Sequence, residues 1–505
     1  MDSTLVHLLL ESVQHYPDSD AVVSQGRRMT YATLWKDICA TTEYLLQHGL
    51  KPGDRVGILV ENSPEYIAIY YAVLAAGGIA VGLNTASKAK ELSNWLSHCS
   101  ANWLFASTTH PDLAHLQKLL GKINIIGIGE QNNNIISFQR HWSEVKNFSD
   151  KEPHLTRLSD NSKPAAIIYT SGTTGNPKGV TLSHKNLYSN IQSILAYLNL
   201  EHTDSIVTVL PFYYSYGNSV LHTHLAVGGK LVLVNSMLYP QQVLEMIEQE
   251  KATGFSGVPS TFALLLHRTK LHNYNLSSIR YMTQAGGPMA PASISRLLAE
   301  IPDIKFFVMY GQTEASARLS YLPPEKLKEK MGSVGIAIPG VTLEIRKEDG
   351  TIAKTGETGE IYATGDNIML GYWNSPDLTN NAIKNGWLKT GDLARYDDDM
   401  YIYIVGRSSE MIKTGANRIS PKEVEEVIHH IEGVEEVAVI GVEDEILGQV
   451  IKAFVVPSAT TKLDKKTILA HCKKELANYK IPKYIEYIDE LPKTASGKIK
   501  RYQLH

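Results

Sequence analysis

The sequence predicts an α/β protein of two domains, a large layered α/β domain carrying a β subdomain and then a small α+β domain. Three observations predict it. A chain of 505 residues is longer than one hydrophobic core organises. Helical stretches alternate with short apolar runs through most of the chain, the pattern of sheets covered by helices. Beyond Gly340 the pattern changes to short strands with Gly and Asp turns, and beyond Gly406 to a compact mixed tail. The expected domains are residues 1–406 and 407–505.

The first part begins with a helical stretch, Thr30 to Gly49, and an apolar run, Arg55 to Val60. The uncharged run Tyr66 to Leu83 approaches the length of a membrane helix by the roughly 18-residue criterion. Gly77-Gly78 interrupts it, so a buried helix turning into a buried strand is expected and no membrane span. Ala165 to Tyr169 reads as a buried strand opening into a loop of Gly, Ser and Thr. Further strands are expected at Ser205 to Leu210, Gly254 to Val258, Tyr281 to Gln284 and Lys305 to Met309, with a helix after Tyr239. The β subdomain shows in Val341 to Arg346, Glu360 to Ala363 and Met400 to Ile404. The tail gives a helix from Pro421 to His430, strands Val434 to Val442 and Val450 to Val456, and a helix from Asp464 to Asn478.

Composition excludes several functions. Hydrophobic residues make up 43% and charged residues 20%, the balance of a packed globular protein. Lys plus Arg is 49 against 52 Asp plus Glu, a net charge of -3, so no nucleic-acid footprint is present and anionic substrates need local groups. Cys39, Cys99 and Cys472 are scattered, without a CxxC pair or metal-ligand spacing. The N-terminus lacks the basic start of a secretory signal. A reduced, cytoplasmic protein is expected.

The loop after the buried strand carries the densest chemistry. Ser171-Gly-Thr-Thr-Gly-Asn-Pro-Lys-Gly179 offers hydroxyls, backbone N–H groups and one cation, Lys178, to a polyphosphate. It fails the Walker pattern at the glycine before the lysine. On glycine content alone it would be a surface turn; the hydroxyls and lysine directly after a strand favour phosphate.

With Tyr169 and Thr170 in front, this segment resembles the signature of the adenylate-forming superfamily of acyl-CoA synthetases, nonribosomal-peptide adenylation domains and luciferases. The resemblance continues through Tyr310-Gly-Gln-Thr-Glu314, Gly359-Glu360, Gly371-Tyr-Trp-Asn374, Lys389-Thr-Gly-Asp392, Gly406-Arg407 and Leu491-Pro-Lys-Thr-Ala-Ser-Gly-Lys-Ile-Lys500. It implies that ATP is held by Thr170, Ser171, Gly172, Thr173, Thr174, Gly175 and Lys178, with Gly287, Tyr310 against adenine, Asp392 on the ribose and Arg407 beside the nucleotide. It implies that Thr313 contacts the α-phosphate, Glu314 helps hold Mg²⁺, and Lys498 bridges carboxylate and phosphate during adenylation. Taken alone, Lys498 and the following basic residues would be a solvated tail.

The resemblance also implies one site used for two reactions, with a mobile small domain turning about a hinge. Ser409 stands where the hinge is usually Asp or Lys. Gly415 would then face the tunnel of a pantetheine thiol, although a plain turn glycine fits it nearly as well. The acid would sit among Tyr214, Ser215, Tyr216 and Gly286, where tyrosines serve equally as core. Amino-acid adenylation domains place an Asp where Ser215 stands, because an unpaired buried ammonium costs on the order of several kcal/mol. A fatty, aryl or other non-amino acid is therefore favoured, with coenzyme A as acceptor. The alternatives are a standalone enzyme loading proline or a fatty acid onto the phosphopantetheine of a separate carrier protein, and a non-catalytic nucleotide or acyl-AMP sensor. Retention of Lys178, Thr313, Glu314, Asp392 and Lys498 speaks against the sensor.

Overall fold

The computed structural model describes residues 4–130, 140–149, 160–170, 178–414, 417–445, 447–458, 463–493 and 499–505. Those residues form four sheets. A nine-stranded sheet runs in the order 336–337, 320–322, 305–310, 281–284, 254–257, 205–208, 230–233, 20–24, 27–30. Its five central strands, from 305–310 to 230–233, are mutually parallel, as buried apolar runs joined by helices require. An eight-stranded sheet runs 371–372, 178–183, 164–170, 79–82, 55–59, 103–107, 124–128, 140–141. Helices cover and join the two sheets, giving the layered α/β domain expected.

The β subdomain is a five-stranded antiparallel sheet of 341–346, 359–365, 387–396 and 383–384, with 402–407 added to 387–396. The C-terminal sheet is built on a long hairpin, Val434–Asp444 against Gly448–Pro457, with Tyr484–Tyr487 parallel to its second arm. Helices Pro421–His429 and Lys465–Glu475 pack on it around Val424, Ile428, Ile468 and Cys472. The second of these helices stops at Glu475, three residues before the end expected from sequence.

The uncharged run at 66–83 resolves as foreseen. Pro64 opens the helix Pro64–Ala75, and the Ser63 hydroxyl accepts from Tyr66 N–H. Gly77, at φ 79°, reverses the chain so that Gly78 N–H reaches Val73 O at 2.8 Å. Strand Ile79–Gly82 follows directly. Tyr66, Tyr70 and Tyr71 are fully or almost fully buried in the main core, Tyr71 with its hydroxyl against His222. No helix among the described residues is long and apolar enough to cross a membrane. Cys39, Cys99 and Cys472 are buried and unbridged.

Candidate active site

Two chain crossings set the floor of the site. Strand Pro164–Thr170 returns as Lys178–Ser183, with Thr170 opposite Lys178 in an antiparallel register. The ends of the hydroxyl-rich segment are thereby held side by side; Ser171, Gly172, Thr173, Thr174 and Gly175 lie outside the described residues. The returning strand is fixed by the helix after it. Ser183 Oγ accepts from Asn186 N–H at 3.0 Å, Asn186 Oδ1 accepts from Ser183 N–H at 2.8 Å, and Asn186 Nδ2 reaches Asp366 O.

The second crossing carries Thr313 and Glu314. Strand Lys305–Tyr310 ends at Gly311, where a Cβ would lie 2.0 Å from Ala317 O, so only glycine lets the chain pass. A single 3-10 turn, Thr313–Ala315, follows, and Ser316 takes a left-handed φ of 63°. Asn367 pins this turn: it accepts from Ser316 Oγ through its backbone carbonyl and donates through Nδ2 to Ala315 O and Arg318 O. Met369 N–H donates to Glu314 O, and Tyr372 Oη donates to Glu314 Oε1 at 2.9 Å. Tyr372 is itself paired with Val180 of the returning strand. Glu314 is in this way tied to the strand that Lys178 begins.

Glu314 Oε2 takes no hydrogen bond among the described residues, which leaves one hard oxygen for a cation. No cluster of three His, Cys, Asp or Glu able to hold a metal occurs there. That combination fits Mg²⁺, which keeps several waters and is carried largely by substrate phosphates, and does not fit a dedicated protein cage.

At the β subdomain edge, Asp392 is 5% exposed and takes two hydrogen bonds. Tyr310 Oη donates to Oδ2 at 2.7 Å and Arg407 Nε to Oδ1 at 2.8 Å. Their strands supply this geometry, since Asp392 and Arg407 are opposed in register. Burial, then the Asp392 charge, pushes the Tyr310 phenol well above its ordinary value, so it stays protonated and donates. The same carboxylate holds the Arg407 guanidinium firmly charged.

The expected acid pocket also reaches Thr313. Asn62 anchors its loop, donating from Nδ2 to Leu210 O and accepting from Phe212 N–H. Helix Ser215–Ala226 then starts, with Gly217 so near that a Cβ would meet Pro211 O at 2.2 Å. Ser215 Oγ lies 3.2 Å from Thr313 Oγ1. Tyr216 Oη donates to Thr283, and Tyr214 sits half-buried at the helix entrance. Gly286, at φ 88°, and Gly287, whose carbonyl accepts from Gln284 Nε2, form the turn after strand Tyr281–Gln284.

Thr170, Lys178, Tyr310, Thr313, Glu314, Asp392, Arg407 and Ser215 thus belong to connected elements. Ser409 lies apart, exposed in the 3-10 turn Ser408–Glu410 that follows Arg407. Gly415 and Lys498 fall outside the described residues, although Lys493 and Ile499, on either side of the latter's segment, bridge each other. Sequence reasoning missed Asn367 and Asn62, whose roles are cross-chain contacts with no local signature. It quoted Tyr372 without giving it a partner.

Residues 9–373 match the AMP-binding enzyme family, and residues 423–498 match the AMP-binding enzyme C-terminal domain. The chain belongs to the AMP-binding enzyme family. It is 31% identical to a long-chain-fatty-acid–CoA ligase of Bacillus subtilis, over 100% of this chain and 94% of that one. It is 32% identical to a feruloyl-CoA synthase of an Amycolatopsis species, over 96% and 94%. Among solved structures it superposes on o-succinylbenzoate-CoA synthetase of Bacillus subtilis, in complex with an acyl-adenylate intermediate, with a TM-score of 0.86 and 28% identity, covering 98% of this chain and 97% of that one. An AMP-binding enzyme of this kind is an ATP-dependent, AMP-forming ligase of the adenylate-forming superfamily.

Proposed function

We propose that the chain is an acid–thiol ligase that couples a non-amino carboxylic acid to coenzyme A through an acyl-adenylate. The acid's carboxylate oxygen attacks the α-phosphorus of ATP and pyrophosphate leaves. The thiol then attacks the acyl carbonyl, and AMP leaves with the bond electrons. The relatives named as CoA ligases, and the acyl-adenylate bound in one similar structure, support this order.

The observation that carries the reading is the contact of Ser215 Oγ with Thr313 Oγ1 at 3.2 Å. It sets the neutral wall of the acid pocket directly against the hydroxyl that would meet the α-phosphate. A substrate ammonium would find a hydroxyl there and no carboxylate, which disfavours an α-amino acid. Thr170, Lys178 and the segment between them would hold the phosphates. Bound Mg²⁺ would be held by Glu314 and would neutralise phosphate charge. Asp392 would bind the ribose, with Tyr310 and Arg407 beside the nucleotide. Lys498 would offset charge between the attacking and leaving oxygens. Residues 407–505 would turn about Ser409 between the two steps and bring Gly415 to the thiol.

Pyrophosphate exchange into ATP, measured over fatty, aryl and amino acids, tests this. Exchange that depends on a non-amino acid, followed by thioester formation on coenzyme A, is expected. Exchange with amino acids alone, or acyl transfer to a carrier protein with none to coenzyme A, would overturn the assignment.

A further inference from the structure

One guanidinium is shared by two carboxylates where the small domain meets its hinge. Arg501 Nη2 donates to Glu425 Oε1 at 2.6 Å, and its Nε, buried and without a hydrogen bond among the described residues, stands 3.8 Å from Glu410 Oε2. Glu410 ends the turn Ser408–Glu410, which contains the expected hinge residue. Glu425 lies on helix Pro421–His429 and also accepts from Val439 N–H of the long hairpin at 2.7 Å. Arg501 begins the 3-10 turn Arg501–Gln503, three residues after Lys498 in the chain.

The chain on both sides of the Lys498 segment is anchored to the small domain. Lys493 and Ile499 form a β-bridge, and Lys500 N–H donates to Pro492 O at 2.7 Å. Leu491, Ile499 and Leu504 pack in one cluster with Phe454 of the hairpin, and Lys493 pairs with Glu436 at 2.5 Å. Those contacts tie the tail to its own sheet. Among the described residues from 499 onward, Arg501 is the one that carries an ion pair to the hinge turn.

Charge explains why the guanidinium matters there. Burial raises the Glu425 carboxyl, Arg501 and the Val439 N–H oppose that rise, and the Glu410 charge adds to it. Glu410 and Glu425 are therefore like charges that feel each other, with Arg501 paired to both. Arg407, held charged chiefly by Asp392, is held further by Glu410. Charges of alternating sign thus run from Asp392 through Arg407, Glu410 and Arg501 to Glu425. The row crosses Ser409 and joins the ribose carboxylate to the end of the segment that carries Lys498.

We propose that Arg501 is a positioning residue for adenylation, which acts through Lys498 by tying the end of the lysine's segment to the hinge turn through Glu410 and Glu425. The inference rests on the acid–thiol ligase reading, in which Lys498 serves the first step and the thiol takes the acyl group in the second. Removing the guanidinium leaves two carboxylates to repel each other and frees the tail from the hinge turn, without touching ATP, acid or thiol.

The test measures the two half-reactions separately on the full-length enzyme: pyrophosphate exchange with an acid that supports it, and acyl-CoA formation from coenzyme A and the preformed acyl-AMP of that acid. Arg501→Met should lower kcat for exchange by about ten- to a hundredfold, the scale expected when a reacting group is held out of place, with KM for ATP and acid unchanged. Acyl-CoA formation from acyl-AMP should stay at the wild-type rate, and Arg501→Lys, which keeps the charge, should recover part of the exchange. Glu410→Ala leaves the Arg501–Glu425 pair in place, so it keeps the fold even where Arg501→Met does not, and should show the same selective loss at several-fold. Equal loss in both half-reactions, or wild-type exchange in Arg501→Met or in Glu410→Ala, overturns the positioning role and leaves the ligase reading standing. Absence of exchange with every acid tried, from wild-type protein that binds ATP, overturns both.

Discussion

Three buried histidines make the fold acid-sensitive in a way that reaches the site. His222 and His224 lie on the helix that begins at Ser215, and His184 begins the helix that packs beside it, each 3% exposed or less. Burial lowers them from 6.5 to about 4 for His184 and His224 and about 3 for His222. His224 bonds Tyr281 Oη at 2.7 Å and Val220 O at 2.8 Å, and His222 meets Tyr71 Oη at 2.7 Å, so each is neutral when folded. Because these folded values are depressed, the unfolded chain binds more protons below its own 6.5, and stability falls as pH falls from 6.5 toward 4. Since pH 5 lies about 1.5 units below the unfolded value and above all three folded ones, each group contributes a loss of about 2 kcal/mol at 1.36 kcal/mol per unit. Together they should remove about 4–6 kcal/mol between pH 7.5 and 5. Urea unfolding followed by tryptophan fluorescence at the two pH values measures it, and His224→Gln should recover about 2 kcal/mol of the difference. Equal unfolding free energies at pH 7.5 and 5 would refute the reasoning.

Other perturbations have equally definite outcomes. Lys498→Ala should lower pyrophosphate exchange by about a hundredfold or more with an unchanged circular dichroism spectrum, as expected for loss of a charge that stabilises the transition state; near-normal exchange would remove the lysine from the mechanism. Asp392→Asn takes the charge from both the Tyr310 and Arg407 hydrogen bonds, so KM for ATP should rise about ten- to a hundredfold while KM for the acid changes little. Gly311→Ala drives a Cβ to within 2.0 Å of the Ala317 carbonyl; it should cost about 1–3 kcal/mol or more, seen as a lower Tm, and displace Thr313 enough to weaken exchange.

What the sequence made legible was whatever is local. Periodicity and glycine placement were enough for the helix, turn and strand at 64–82, because Ser63, Pro64 and Gly77 each act on their own neighbours. The residues of Tyr310-Gly-Gln-Thr-Glu314 lead from a strand into a tight turn because Gly311 lets the chain pass Ala317 and Ser316 takes a left-handed φ. Contacts between distant segments were not legible. Nothing local marks Asn367, 51 positions from the hydroxyl of Ser316 that it receives. Arg318 carries no sequence pattern that would separate a buried cation from a surface one; only its 3% exposure and its place over Tyr216 do so. The helix expected to reach Asn478 ends at Glu475 because Leu476 turns extended to bury its side chain beside Cys472, a tertiary preference that outweighs helix propensity.

The central claim is tested most directly by incubating the full-length protein with ATP, Mg²⁺, coenzyme A and an acid that supports exchange, and counting the products by chromatography and mass spectrometry. One AMP and one pyrophosphate for each acyl-CoA, with acyl-AMP accumulating when coenzyme A is withheld, is the predicted result. Formation of ADP, or nucleotide turnover indifferent to the acid, would contradict it.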